Sequence, residues 1–185
     1  MSKRLILIVL LSLLGTILLP AQASNDEMLA AQFYQNKEYD KALVYYEKLY
    51  QKKENSVYYK YYVDCLIETK AFKDAEKVIK KKIKQEPTSL NYLVDLGYVF
   101  LRSGDDGKAK DQFEKAISTL NDENNQIFVV AKSFLGIQQY DYAIRTYEKG
   151  RTIMKGSYPF NFEIAQVYSQ KGEYPAMISE ILDVL

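Results

Sequence analysis

The stretch LGYVFLRSGDDGKAKDQF, residues 96–113, has the pattern of two short helices joined by a tight turn. The small residue Gly97 precedes the aromatic Phe100 by three positions, and Ala109 precedes the aromatic Phe113 by four. Each pair shares one face of a helix, because residues three or four apart are neighbours on an α-helix. The polar, glycine-containing stretch between the pairs predicts the turn.

The same pattern recurs along the chain at a nearly constant spacing. In the first helix of each unit the sets are Leu29-Ala30 with Phe33, Tyr62-Val63 with Leu66, Leu96-Gly97 with Phe100, Val130-Ala131 with Phe134, and Ile164-Ala165 with Tyr168. In the second helix the pairs are Ala42/Tyr46, Ala75/Ile79, Ala109/Phe113, Ala143/Tyr147 and Met177/Ile181, which recur every 33, 34, 34 and 34 residues. A period of this length indicates repeated supersecondary units. We therefore predict five helix-turn-helix units.

A polar turn separates the two helices of each unit. The turns are Lys37-Glu38-Tyr39, Lys70-Ala71-Phe72, Gly104-Asp105-Asp106, Gln138-Gln139-Tyr140 and Gly172-Glu173-Tyr174. Two antiparallel helices that are joined so tightly approach closely only where their facing side chains are small. The recurring Ala and Gly positions are therefore expected at the interface within each hairpin.

These residues resemble the tetratricopeptide repeat (TPR), over essentially all of residues 24–185. The TPR pattern has Leu-Gly or Leu-Ala and an aromatic in its first helix, followed by Gly-x-Tyr, Ala, Phe or Tyr, and Ala. The resemblance implies an all-α fold, a right-handed α-solenoid of about five hairpins. Its repeats would lie at about 23–55, 56–89, 90–123, 124–157 and 158–185, with the last incomplete.

Several positions depart from the TPR pattern. The usual tryptophan position holds Asp26, Tyr59, Leu93, Ile127 and Asn161. The second alanine of the second helix is kept only as Ala116, and the equivalent positions hold Leu49, Lys82, Gly150 and Val184. Met177 replaces the first alanine in the last unit. The first and fifth units therefore follow the pattern least closely.

The first segment has the composition of a signal peptide. Lys3 and Arg4 precede the apolar run 5–19, and an Ala-x-Ala motif ends at Ala23. The run is shorter than the roughly 20 residues that a membrane-spanning helix needs. We predict a signal-peptide helix over residues 1–23, cleavage between Ala23 and Ser24, and a periplasmic or secreted protein without a stable membrane span. An uncleaved signal anchor is the alternative.

The last residues, ILDVL at 181–185, give the fifth unit an apolar end. Terminal units of stacked repeats normally carry a polar outer face. This ending suggests a truncated chain, a longer parent protein or a capping partner.

The composition argues against catalysis and against nucleic-acid binding. The sequence has no histidine and one cysteine, so the commonest general base and the usual metal-binding clusters are missing. The 25 basic and 24 acidic residues balance, so no global field attracts polyanions. We expect no enzyme, no cofactor and no metal. Asp105-Asp106 is interpreted as a helix cap, Cys65 as a buried inert thiol, and the lysine-rich run 80–84 as a solvated helix end.

The TPR resemblance implies a concave groove lined by the first helices. The implied positions are Glu27, Ala31, Tyr34, Gln35, Lys60, Asp64, Ile67, Glu68, Asn91, Val94, Tyr98, Leu101, Arg102, Asn125, Phe128, Lys132, Leu135, Phe162, Gln166 and Ser169. The principal candidates for partner binding are Tyr34, Lys60, Asp64, Asn91, Tyr98, Arg102, Asn125, Phe128, Lys132, Phe162 and Gln166. For Tyr34, Tyr98, Phe128 and Phe162, packing against the next repeat is the competing interpretation.

This groove would suit a peptide or a partner helix, because aromatic and arginine anchors carry much of the energy of interfaces. The carboxylate clamp of chaperone-binding TPR domains is not formed, since its positions hold Glu27/Ala31, Lys60/Asp64 and Val94/Tyr98. We predict a protein-protein interaction scaffold of the cell envelope or periplasm. The alternative is the N-terminal docking or sensory region of a larger envelope receptor or enzyme.

Overall fold

The computed structural model describes residues 25–122, 124–155 and 159–183. Over these ranges the chain forms ten α-helices and no β-strand, which confirms the predicted all-α class. None of the helices described is both long and apolar enough to cross a membrane. The predicted signal peptide, residues 1–23, and its cleavage site at Ala23 and Ser24 lie outside the described residues.

The helices alternate with short connections along the chain. They are α1 (Asn25–Gln35), α2 (Tyr39–Lys52), α3 (Ser56–Glu68), α4 (Phe72–Gln85), α5 (Asn91–Arg102), α6 (Asp106–Ser118), α7 (Asn124–Gly136), α8 (Tyr140–Ile153), α9 (Asn161–Lys171) and α10 (Tyr174–Leu182). Hairpin one is α1 with α2, and hairpins two to five follow in order. Each turn predicted from the sequence separates two of these helices.

The helices form two compact units, with the boundary after Tyr59 inside α3. In the first unit α1 packs against α2. In the second unit α5 packs against α6, α7 against α8, and α9 against α10. Neighbouring hairpins of this unit stack through α4 on α5, α5 on α7, α6 on α8, and α8 on α9. Of the predicted hairpins, one, three, four and five are thus observed as packed helix pairs.

The small residues lie where the sequence pattern predicts them. Ala30, Ala42, Ala75, Ala131 and Ala143 have no exposed surface. At Gly97 even an alanine does not fit, because an added Cβ would lie 2.3 Å from Cε1 of Phe113 and 3.1 Å from the carbonyl oxygen of Ala109. In hairpin three the Phe113 ring of the second helix therefore packs directly on the backbone of the first helix at Gly97.

Gly150 has an equally close environment, which explains its departure from the repeat pattern. A Cβ at this position would lie 2.9 Å from Cγ2 of Ile127 and 2.9 Å from Cε2 of Phe160. The alanine that the pattern expects is replaced because these two bulky side chains meet the backbone of α8 directly. The departure thus reflects tighter packing of this repeat.

We predict that Gly97→Ala destabilises the fold by about 1–3 kcal/mol, because the ring of Phe113 must move within a packed core. Gly136→Ala is the matched control, since an added Cβ meets nothing within 4 Å there. Urea denaturation followed by circular dichroism measures both changes. Equal stability of the two variants would contradict the close approach at Gly97.

One residue in each hairpin turn has a left-handed backbone. These residues hold the same repeat position and are Lys37 (φ 60°), Lys70 (φ 60°), Gly104 (φ 84°), Gln138 (φ 58°) and Gly172 (φ 77°). In each turn the next backbone N–H donates to a carbonyl five residues back, at 2.8–2.9 Å: Glu38 to Phe33, Ala71 to Leu66, Asp105 to Phe100, Gln139 to Phe134, and Glu173 to Tyr168. This is the Schellman arrangement that ends a helix.

The turn also positions the small residue of the second helix. The residue after the left-handed one uses its carbonyl oxygen to accept a backbone hydrogen bond of the second helix, from the N–H four residues later, at 3.0–3.1 Å. The donors are Ala42, Ala75, Ala109, Ala143 and Met177. One reversal of the chain therefore ends the first helix, starts the second and places its interface residue.

We predict opposite effects of two substitutions in these turns. Gly104→Ala should lower the free energy of unfolding by about 1 kcal/mol, because a Cβ is disfavoured at positive φ. Gln138→Gly should raise it by roughly 0.5 kcal/mol, a gain reduced by the greater freedom of glycine in the unfolded chain.

Gly107→Ala is the control for this pair, because Gly107 lies in the first turn of α6 without a positive φ. That change should leave stability unchanged or increase it. If Gly104→Ala and Gly107→Ala shifted the urea midpoint in the same direction, the left-handed turn would not be a source of strain.

Candidate partner-binding surface

Ten of the eleven principal candidates belong to the second unit, and all ten are at least partly accessible. Lys60, Arg102, Asn125, Lys132, Phe162 and Gln166 are exposed, whereas Asp64, Asn91, Tyr98 and Phe128 are half-buried. They lie on α3, α5, α7 and α9, the first helices of hairpins two to five. We call these ten residues the first-helix surface. Since α5 packs against α7, their residues belong to adjoining helices.

Two other positions that the resemblance assigned to the groove belong to the core instead. Ile67 is 2% exposed and Val94 is fully buried. Their assignment as groove residues is wrong, because these aliphatic side chains are covered by neighbouring parts of the fold. Their apolar, β-branched side chains already indicated burial, because Ile and Val are among the residues most often buried.

Arg102 makes several polar contacts on the first-helix surface. Its Nη1 donates to Oε1 of Glu68 at 2.8 Å and to the hydroxyl oxygen of Tyr98 at 2.9 Å. The guanidinium carbon also lies 5.6 Å from the centre of the Tyr98 ring. These contacts, led by the Glu68 carboxylate, raise the pKa of Arg102 above its ordinary value. The guanidinium is therefore oriented and permanently charged.

The pair formed by Glu68 and Arg102 links two successive hairpins. The two residues are 34 positions apart, which is one repeat, and each side chain is about one third exposed. An ion pair at this exposure stabilises the fold by at most about 1 kcal/mol. Its larger effect is geometric, because it fixes where the charge of Arg102 is presented.

The aromatic candidates differ in how much surface they leave for a partner. The ring of Phe128 lies 5.6 Å from that of Phe160, at the start of the next repeat, and 6.0 Å from that of Tyr147 in its own hairpin. The ring of Phe162, in contrast, is 67% exposed. Val129, which the sequence analysis did not include, is also exposed on α7. The sequence feature that could have identified Val129 is its position as an apolar residue directly before the packing pair Val130-Ala131.

Tyr34 is the one principal candidate in the first unit, and it packs within its own hairpin. Its ring makes edge contacts with Tyr39 at 5.5 Å and with Tyr46 at 6.1 Å. The expected packing role is thus present, and these two partners belong to hairpin one. Little of this half-buried ring is left to contact a partner.

The interpretation of Asp105 as a helix cap is confirmed. Its Oδ1 accepts the backbone N–H of Lys108 at 3.1 Å, at the start of α6. Hydrogen bonds from the side chain and backbone of Lys108 lower the pKa of Asp105.

The interpretation of Cys65 as a buried inert thiol is also confirmed. Its side chain has no exposed surface. Burial, aided by the charges of Asp64 and Glu68, raises the pKa of the thiol to about 12, so it stays protonated at neutral pH. A protonated, covered thiol is a poor nucleophile.

The lysine-rich run 80–84 is not solvated throughout. Lys82 is 8% exposed, forms an ion pair with Glu86, and has its ammonium 5.6 Å from the centre of the Tyr92 ring. The interpretation of a solvated helix end is therefore wrong for Lys82. Its long aliphatic stem fills the position that an alanine has in the repeat pattern, while its charge reaches a carboxylate at the edge.

The described ranges contain no group of three or more Cys, Asp and Glu side chains able to hold a metal ion. The first-helix surface instead combines three amides, one carboxylate, one oriented arginine, two lysines and three aromatic rings of different exposure. Such a surface is able to hold a polypeptide by hydrogen bonds and apolar contacts.

No protein-family model matches the chain, and no curated protein gives a significant match. Among solved structures the chain is similar to a protein named MamA, with 20% identity over 82% of this chain and 90% of that one, at a TM-score of 0.41. It is also similar to TTC0263, a thermophilic TPR protein of Thermus thermophilus, with 13% identity over 86% and 88% of the two chains, at a TM-score of 0.45.

A third similar structure is the TPR2AB domain of yeast Sti1 in complex with pHSP90. It shares 11% identity over 84% of this chain and 73% of that one, at a TM-score of 0.44. At these values the similarity concerns the backbone alone.

Proposed function

We propose that this chain is a protein-protein interaction module that binds a peptide or a partner helix on its first-helix surface. The proposal depends on one observation: on the first helices of hairpins two to five, the candidate binding residues are accessible and the packing residues are buried. The ten principal candidates there are all exposed or half-buried, whereas Leu66, Phe100, Phe134 and Ile164 of the packing sets are buried.

The chemistry of the surface supports binding rather than catalysis. Arg102 offers an oriented guanidinium, which is able to bind a carboxylate or a backbone carbonyl of a partner. Phe162 and Val129 supply apolar contact, and Asn125 and Gln166 supply amides for main-chain hydrogen bonds. The sequence has no histidine to act as a general base.

This proposal is tested with the double variant Arg102→Ala/Lys132→Ala. Proteins captured by the tagged wild-type chain from an extract of the native cell envelope are identified by mass spectrometry. We expect the variant to recover the specific partner at least tenfold less, because an anchor residue typically contributes at least about 1.4 kcal/mol, a factor of ten.

Arg145→Ala/Lys149→Ala is the matched control on the second helix α8. Arg145 pairs with Glu114 at 2.6 Å and lies 5.2 Å from the centre of the Tyr142 ring. Like Arg102, it therefore contacts a glutamate and a tyrosine ring, but on a second helix. Undiminished recovery by the first-helix variant, with its circular dichroism unchanged, would reject the proposed surface.

We also propose that the protein is exported and acts in the periplasm or outside the cell. The proposal is supported by Lys3 and Arg4, the apolar run 5–19 and the Ala-x-Ala motif that ends at Ala23.

Expression in a bacterium with a periplasm, followed by osmotic shock and N-terminal sequencing, tests this export. We expect a periplasmic protein that begins at Ser24, and Ala23→Tyr should block the cleavage because the site needs a small residue, whereas Ser24→Ala should not. A membrane-bound protein that retains Met1 would favour the signal anchor, and a full-length cytosolic protein would reject export.

A further inference from the structure

Helix α4 carries a row of lysines on the side that faces away from the core. The members of the row, all exposed, are Lys73, Lys77, Lys80 and Lys84. At about 100° per residue they fall within about 60° of the helix circumference, opposite the buried Ala75, Ile79 and Lys82. We call these four residues the lysine row. It extends over about 16 Å, or about three helical turns.

Most of the charge of the lysine row is not neutralised by carboxylates. Of its four members, Lys80 alone forms an ion pair within the described ranges, with Glu76 at 2.5 Å. Asp74 and Glu76 are the acidic residues of α4, against six lysines, and both lie beside the row rather than in it. The outermost strip of α4 therefore presents positive charge alone.

The equivalent positions of other second helices form no such row. They hold Asp40, Val44, Glu47 and Gln51 in α2, then Gly107, Asp111, Glu114 and Ser118 in α6, and Asp141, Arg145, Glu148 and Thr152 in α8. These helices pack into the same kind of hairpin without lysine at these positions. The lysine row is therefore not a requirement of the fold, and hairpin two carries it as a property of its surface.

The surroundings of the lysine row indicate a narrow partner. The beginnings of α4 and α6 line one cleft, so a flat anionic membrane laid on α4 would also meet α6. Helix α6 has three basic and three acidic residues, with Asp111 on its outer side, and adds no net attraction. Helix α4 also exposes no large apolar side chain that could enter a bilayer. A single helix, about 10 Å across, would contact the lysine row alone.

The sequence itself holds no evident occupant for the lysine row. Residues 1–24 contain no Asp or Glu, so they cannot supply the opposite charge. Among the second helices α2, α6 and α8, none has carboxylates at all four outer positions. The complementary charges are therefore expected on another protein.

We propose that the lysine row binds an acidic helix of a partner protein, whose carboxylates have the same i, i+4, i+7 and i+11 spacing. Each lysine meets one carboxylate in an exposed ion pair, so the contact is weak and sensitive to salt. Its main effect is to attract and orient the partner. The lysine row lies on a second helix, and this inference does not depend on the function proposed for the first-helix surface.

Two fluorescent peptides test the proposal. Each is an alanine- and glutamine-rich helix of about 20 residues, long enough to be helical in isolation. The first carries four glutamates at the spacing of the lysine row, and the second has the same composition with its glutamates distributed around the helix. Fluorescence anisotropy with the full chain at low salt measures the binding of each peptide.

We expect the first peptide to bind about tenfold more tightly than the second. The variant Lys73→Gln/Lys77→Gln/Lys84→Gln should weaken its binding about tenfold, because three exposed ion pairs are lost. Glutamine is a good helix former, so circular dichroism should be unchanged. In about 1 M salt, where the screening length is about 3 Å, the binding should be lost.

Lys110→Gln/Lys115→Gln/Lys149→Gln is the matched control, since it removes the same charge from exposed positions of α6 and α8. Equal weakening by the two triple variants, or equal binding of the two peptides, would show that net charge rather than the row attracts the peptide and would overturn the proposal. Loss of binding in Arg102→Ala/Lys132→Ala would also overturn it, because the peptide would then occupy the first-helix surface.

Two further results would assign the lysine row to a different occupant. Binding to phosphatidylglycerol vesicles instead of the peptide, lost in Lys73→Gln/Lys77→Gln/Lys84→Gln, would overturn the proposal in favour of an anionic membrane. A dimer that sedimentation equilibrium detects and that the same variant dissociates would overturn it in favour of a second copy.

Discussion

The close approach of two helices across a turn of a few residues is the constraint on which the rest of this structure depends. A left-handed residue must reverse the chain, and small residues must then let the two backbones meet. Both requirements fall at fixed repeat positions, and the hydrogen bonds of the turn connect them. Within the second unit, successive hairpins then stack on one another.

The sequence predicted the hairpins well because they depend on local, periodic features. The alanine and aromatic positions, the five turns and the all-helical class follow from steric rules that act within about 34 residues. Gly150 shows where such rules end. Its backbone is approached by Ile127 and by Phe160, and no pattern within one repeat reveals that contact.

The candidate surface was predictable in outline and less so in detail. Family resemblance separated accessible from packed positions for the ten residues of the second unit, but it also assigned the buried Ile67 and Val94 to the groove. The association of Arg102 with Glu68 and Tyr98 depends on how two hairpins are placed. Side-chain orientation across a repeat boundary is a tertiary property, so spacing alone does not give it.

The uneven distribution of glycine among the turns has a consequence for the order in which the chain folds. Hairpin three combines Gly97, Gly104 and the capping side chain of Asp105, whereas hairpins one, two and four reverse through Lys37, Lys70 and Gln138. Forming a turn early requires its backbone to be reached without help from tertiary contacts, which glycine allows most readily. In an array of near-neighbour contacts folding is able to start at any unit. We therefore expect the turn of the third hairpin to form before the turns of hairpins one, two and four.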